Sequence, residues 1–402
     1  MPRVGPISYA PDKAPLPFVN YVVLPNIALA CIMACRPPSV LKYGASLLLI
    51  YTALYAAVTF TTGDPVEDYT LGSTVLANFI LNVITFVWLT DPIKDIRYVQ
   101  DPVPLTVKPL FTRVWYAICL LFNARLISTS AQVAHVPPPF RGSRSQFLWN
   151  RLKKLAVTFV LLDTTEYFVS ICLHLYVPEE AAVHAYSGLR GHLVRSASTA
   201  VWLLMTYSSL NYTYLLMSIF AVVTGLGNGN PEDWPDAFGQ WSRAYTLRNL
   251  WGRVWHQLFR RHFARIGKIA VRILRVPRNT WLSSQVQIHA AFATSALLHS
   301  MGDLVLNPAA FGRSAPFFVL NALAITAEDT IDAIARRAGL PRATESFALR
   351  ILGYSWVTLW ILNTVPLYLS WVYANEFGGY SSLPYSPVRK LVVPFVQRIM
   401  AK

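Results

Sequence analysis

Apolar residues fall into long blocks along this chain, separated by shorter polar or basic stretches. A helix rises about 1.5 Å per residue, so about 20 apolar residues reach across a bilayer core. Eight blocks approach that length: Phe18–Cys35, Tyr43–Phe60, Leu71–Thr90, Leu155–Val177, Ala197–Gly225, Val286–Leu306, Ala315–Ala335 and Ile351–Tyr373. The third and fifth hold no charged residue, whereas the fourth, sixth and seventh carry acids. Arg113–Ile127 (RVWYAICLLFNARLI) is too short and too charged to cross comfortably and reads as an interfacial or re-entrant helix. The pattern predicts an all-α polytopic membrane protein, with about eight transmembrane helices plus interfacial amphipathic helices. No internal repeat or low-complexity linker divides it, so residues 1–402 are expected to form one membrane-embedded domain.

Composition agrees with a largely lipid solvent: 54% of residues are hydrophobic, 14% are charged and the mean hydropathy is +0.39. The proline-rich first 17 residues, and an apolar run ending in Arg-Pro-Pro, lead us to expect no cleavable signal peptide. Cys31, Cys35, Cys119 and Cys172 lie in or beside apolar blocks and suggest small buried hydrophobes, not a metal or disulfide framework.

The net charge of +15 raises nucleic acid or an anionic surface as a partner. Placement of the charge decides between them. All 35 Lys and Arg residues lie outside the eight blocks, 26 of them in the segments after the first, third, fifth and seventh. By the positive-inside rule those segments are cytosolic and both termini lumenal, in a multi-pass membrane protein with no nucleic-acid partner.

One stretch stands apart. Ten basic residues lie between Ser242 and Arg278, and no acid separates Asp236 from Asp303. Arg261, Arg265, Lys268, Arg272 and Arg275 share a helical face, with Phe259, Phe263, Ile266, Ala270 and Ile273 on the other side. Such a helix suits a membrane interface, and part of its charge also suits a phosphorylated substrate, because arginine presents a planar fork of donors. Within the stretch, LWGRVWHQ places His256 directly behind Trp251 and Trp255. His262 belongs with ordinary surface histidines, and no spacing suits a metal.

His299 lies well inside the sixth block with Asp303 at i+4, close enough to fix its tautomer. The pair suits either a general base or a structural tether between helices; His289, nearer the end of the block, suits a structural role. Asp163, Glu166, Glu328, Asp329 and Asp332 are further acids in apolar blocks, with no role assignable from sequence.

Two segments resemble the wax-synthase-like branch of the membrane-bound O-acyltransferases: WPDAFGQWSRAYTLRNLWGRVWHQLFRR and SALLHSMGD, within residues 230–303. Leu250 and Val254 stand where that branch usually has Phe and Arg. The resemblance implies an O-acyltransferase of the endoplasmic reticulum that uses acyl-CoA as co-substrate, needs no further cofactor, and works on a lipophilic alcohol at a lipid bilayer. It implies His299 as catalytic base and His256 as the residue that positions or polarises the acyl group. Trp251 and Trp255 would wall the donor tunnel, and Arg253, Arg260 and Arg261 would meet the CoA phosphates. The TTGDPVEDYTLGSTV and LTDPIKDIRY stretches look like fungal secondary-metabolite members, which points to acetyl transfer onto a terpenoid or meroterpenoid. Wax-ester synthesis from fatty alcohols is the alternative, and a transporter with a polar path through His299 and Asp303 is the competitor of another class.

Overall fold

The computed structural model describes residues 12–101, 103–171, 188–227, 229–339, 346–373 and 383–400. The expected end of the fourth apolar block and Cys172 lie outside the described residues. Long helices follow the order α1 (Val19–Cys35), α2 (Ser39–Thr59), α3 (Pro65–Trp88), α4 (Leu110–Phe122), α5 (Arg144–Ile171), α6 (Gly188–Thr224), α7 (Arg260–Ile273), α8 (Trp281–Leu306), α9 (Ala315–Arg337) and α10 (Phe347–Tyr373). Among the described residues, extended pairing in named strands is limited to Ala14–Pro15 beside Phe60–Thr61.

Most of the long helices stand where the apolar blocks fall, but few of them have the length and apolarity of a membrane span. Among the described residues only α2 and α3 are long and apolar enough to cross a membrane. The expectation of eight spans is therefore corrected, and with it the multi-pass placement in the endoplasmic reticulum with cytosolic basic loops. Ion pairs and buried polar groups lie within or beside the other helices. α5 carries Arg151, Lys153, Lys154, Asp163 and Glu166, α6 is rich in Ser, Thr, Tyr and Asn, and α9 contains Glu328, Asp329 and Asp332. The stretch read as an interfacial or re-entrant helix begins at Leu110, ends at Phe122, and packs Tyr116, Ala117, Leu120 and Leu121 inward beside α1.

The chain divides into two compact units. One is built mainly from Pro139–Ala237 and Thr358–Lys402. In it α5 packs along α6, and Asp236 accepts from Lys154 at 2.8 Å and from Arg151 at 2.5 Å. Asp163 accepts from the Ser386 hydroxyl and from the Val388 amide at 2.9 Å, so this acid holds the start of the C-terminal helical segment.

The other unit comprises Tyr9–Pro138 and Phe238–Val357. Its core gathers Leu29, Met33, Leu76, Phe86, Leu120, Leu298 and Val305, side chains each worth about 1.5–3 kcal/mol when fully buried. α8 is central and packs against α3, α7 and α9. α3 starts six residues before its apolar block because Asp64 caps it, accepting from Val66 and Glu67 amides at 2.8 and 3.0 Å, with Pro65 at the first position. Glycines let α3 and α8 approach closely. A Cβ on Gly72 would lie 2.2 Å from the Met301 carbonyl oxygen, and one on Gly302 would lie 2.7 Å from the Tyr69 ring.

The arginine-rich helix α7 is amphipathic, but its basic face is not uniformly exposed. Arg261 is buried and spends all five N–H donors: on the carbonyls of Leu120, Leu121 and Asn123, on Asn82 and on His262. Three of those acceptors close the C-terminal end of α4, where a helix leaves carbonyls unpaired and favours a cation. Arg265 does the same at the end of α3 through the Leu89 carbonyl. Only Lys268, Arg272 and Arg275 form an exposed basic edge, and Ile273, expected on the apolar side, is exposed with them.

Candidate active site

The WGRVWHQ segment is not part of a regular helix. Thr246 caps a short turn at Leu247–Asn249, which widens into a π-helical turn at Leu250–Val254. Trp255 then turns the backbone to an extended conformation and releases His256 from the helix. π turns of this kind are frequent at functional sites, because they aim side chains that a regular α-helix would not. Gln257, buried beneath, holds the turn by donating to the Trp255 carbonyl at 2.5 Å and accepting from Arg260 at 2.6 Å. Arg260 also donates to the Gly252 carbonyl.

Acids of α9 hold the entrance to this segment. Glu328 accepts from the amides of Leu247 and Arg248 at 2.8 and 3.1 Å and from Trp356 at 2.7 Å. Asp329 pairs with the Arg248 guanidinium, accepting from its Nε at 2.7 Å, and accepts from Gln285 at 2.6 Å. These two carboxylates are thus anchors of the motif turn, while Asp332 pairs with Arg336 on the surface at 2.9 Å.

An unbroken run of ring contacts leads from His256 to His299. His256 lies 5.6 Å from Trp255, Trp255 lies 6.0 Å from Trp251, and Trp251 lies 6.1 Å from Phe317. Phe317 touches Phe318 at 5.1 Å, and Phe318 stacks on His299 at 4.5 Å. Trp251 is oriented by donating its indole N–H to Asn321 at 3.0 Å. Both histidines are only half-buried by surface, so each keeps an open edge, yet dense surroundings make the charged form costly. Burial lowers the pKa of His256 to about 4, and burial followed by the nearby charge of His256 lowers that of His299 to about 3. The buried Nδ1 of His256 has no hydrogen-bond partner among the described residues.

His299 is oriented by a residue that sequence reasoning missed. Its Nδ1 lies 2.9 Å from the hydroxyl of Tyr69, on α3. Asp303, the expected orienting carboxylate, is fully buried one turn further on and accepts from the Ser314 amide at 2.8 Å and hydroxyl at 2.5 Å. It ties the end of α8 to the start of α9.

Of the candidate phosphate ligands, Arg253 is exposed, and it and Arg260 feel each other's charge. They gather with Arg243 near His135, whose pKa falls first through burial and then through these three cations. Arg261 is turned away, with every donor committed. His262 is fully buried, not on the surface, bonded through Nδ1 to Thr85 at 2.8 Å and accepting through Nε2 from Arg261 at 3.1 Å. His289 is exposed and meets the Thr326 hydroxyl at 2.9 Å. Among the described residues, no group of three His, Cys, Asp or Glu side chains could hold a metal ion.

Comparison with known proteins converges on the same region. The membrane bound O-acyl transferase family matches residues 234–320, which contain both histidines. Acetyltransferase eriL of Hericium erinaceus is 28% identical over 78% of this chain and 80% of its own. Acetyltransferase ple2 of Rhodocybe pseudopiperita is 28% identical over 87% and 89%, and the O-Mevalon transferase yanI of Aspergillus niger is 27% identical over 77% and 75%. The chain is an acyltransferase, within the general acyltransferase and acetyltransferase superfamily.

Proposed function

We propose that this acyltransferase moves an acetyl group from acetyl-CoA to the hydroxyl of a lipophilic alcohol, a terpenoid or meroterpenoid, with His299 as the base. The observation that carries the reading is that one continuous run of aromatic ring contacts joins His256 to His299, 43 residues apart in sequence. For Nε2 of His299 to accept a proton, Nδ1 must carry hydrogen and donate it to the Tyr69 oxygen. His299 then takes the proton of the acceptor hydroxyl as its oxygen attacks the thioester carbonyl. A neutral His256 donates a hydrogen bond to the carbonyl oxygen as charge develops there. The carbon–sulfur bond breaks, and the CoA sulfur leaves with the proton that His299 accepted. No acyl-enzyme is required.

Trp251 and Trp255 wall the donor and keep water from the thioester. Arg253 and Arg260, joined by Arg243, offer planar donors to the CoA phosphates; Arg261 is left out because its donors are spent. Asp303 supports the site by holding the junction of α8 and α9. The WGRVWHQ and SALLHS segments support placement in the wax-synthase-like branch. The exposed apolar face of α2 supports contact with a lipid bilayer, where a lipophilic acceptor would concentrate. The similarity to the acetyltransferases eriL and ple2 supports acetyl as the group transferred.

The test is acyl transfer by the purified chain, with labelled acetyl-CoA and oleoyl-CoA offered against terpenoid and fatty alcohols. Acetylated terpenoid is the expected product, and His299→Ala should abolish it while the protein remains folded. His256→Ala should reduce turnover by about a hundredfold, the scale of a lost oxyanion donor. Near-normal turnover in the folded His299→Ala enzyme would overturn the base assignment, and product only from oleoyl-CoA with fatty alcohols would select wax-ester synthesis instead.

A further inference from the structure

Away from the two histidines, a second concave site lies among the ends of α1 and α3, the start of α2 and the first turns of α4. It is a cavity of about 400 Å³, within the range of about 300–1,000 Å³ typical of small-ligand sites. Three cations line it, Arg36, Lys42 and Arg113, together with one acid, Asp91. Arg36 and Asp91 pair at 2.6 Å, which leaves Lys42 and Arg113 as the uncompensated charge.

The hydrogen-bonding account of the lining does not close. Buried polar atoms are nearly always paired, since an unpaired one costs about 1–3 kcal/mol. Here two buried atoms of opposite character, Nε of Arg113 and Oδ1 of Asp91, bond to nothing among the described residues. A partner for both must bring an acceptor to the arginine and a donor to the carboxylate. Ser39 lines the same cavity and opens α2 with no side-chain cap, so amides of that first turn add further donors. Val40 and Leu41, in that same turn, are 85% and 64% exposed and extend an apolar surface from the site.

We propose that this cavity binds a phosphate ester that also carries a hydroxyl or ammonium donor. The phosphate oxygens accept from Arg113, Lys42 and the start of α2, and the hydroxyl or ammonium group donates to Oδ1 of Asp91. Soluble glycerol phosphates and glycerophospholipid headgroups share this chemistry. Inorganic phosphate offers the anion without the organic donor, and phosphatidylcholine carries a quaternary ammonium with no N–H.

The test uses the full chain. Calorimetry with sn-glycerol 3-phosphate, phosphoethanolamine and inorganic phosphate reads the soluble source. Flotation with phosphatidylcholine vesicles, with and without phosphatidylglycerol or phosphatidylethanolamine, reads the headgroup source. Saturable binding of either soluble ester, tighter than inorganic phosphate, supports the proposal and identifies a soluble ligand. Enrichment on phosphatidylglycerol or phosphatidylethanolamine vesicles over phosphatidylcholine alone supports it and identifies a headgroup. In either arm Arg113→Gln should weaken binding by about tenfold or more, as expected for a lost charge-assisted hydrogen bond. Arg113 makes no described side-chain hydrogen bond, so this variant should melt no lower than wild type; Lys42→Gln is the second variant should it fail to fold. Absence of binding in both arms, or unchanged binding by folded Arg113→Gln and Lys42→Gln, would overturn the assignment.

Discussion

Removing the Tyr69 hydroxyl while keeping its ring isolates what that residue does for His299. The ring of Tyr69 rests on Gly302, where any added carbon would lie 2.7 Å away, and the residue is only 8% exposed. Tyr69→Phe preserves this packing and loses the contact at 2.9 Å to Nδ1 of His299. A neutral hydrogen bond of this kind contributes about 1 kcal/mol net. Without it, the imidazole can shift its hydrogen to Nε2, the tautomer that cannot accept a proton from the alcohol. If the full 1 kcal/mol is lost in the transition state, turnover falls by roughly fivefold. The loss should fall on kcat, with KM for the acyl donor unchanged, because Tyr69 acts through His299 and not on the CoA end of the site. Steady-state kinetics with labelled acyl-CoA, beside a thermal melt, provide the measurement. Wild-type kcat in a folded Tyr69→Phe enzyme, or a loss confined to KM, would refute its role as a positioning residue.

Two further outcomes separate the folding role of this region from its chemistry. His262→Ala removes a fully buried ring and leaves Thr85 and Arg261 short of a partner, so it should cost about 3 kcal/mol of stability while sparing turnover per folded molecule; a wild-type denaturation curve would contradict that. His256 and His299 have pKa values lowered to about 4 and about 3 in the folded chain, against 6.5 as the ordinary value. The unfolded chain therefore binds more protons below that ordinary value, and the stability supplied by keeping both rings neutral is present above it and lost progressively as pH falls toward the folded values. Melting temperature should decline on acidification, and the decline should be shallower in the His256→Ala, His299→Ala double variant; identical slopes would count against burial as the cause.

What was legible in the sequence follows from which interactions leave a local pattern. Long apolar blocks located most of the long helices, because a helix must bury its apolar surface whatever covers it. They could not identify the cover. α3 has the composition of a membrane span, yet Leu76, Phe79, Leu81, Val83 and Phe86 are buried by the chain itself. The same ambiguity misassigned charge. Arg261 and Arg265 lie on the expected face of α7, but what they meet are carbonyls at the ends of α4 and α3, and any residue can supply a carbonyl. No side-chain pattern in those partners marks the contact.

The functional candidates divide along the same line. His256 and His299 were visible because each sits in a local run of unusual residue types, WGRVWHQ and SALLHS. Tyr69 was not, since it stands 230 residues from His299, just before the third apolar block. Glu328 and Asp329 were visible as acids but not as anchors, because their partners are two backbone amides and an arginine some 80 residues away. Groups able to carry a reaction thus leave a signature near themselves, while groups that hold them in place need only a hydroxyl, amide or carbonyl at the right point in space. That asymmetry makes the chemistry of this chain easier to read than its supports, and it makes substitutions at Tyr69 and Glu328, more than at the histidines, the informative tests of the site's geometry.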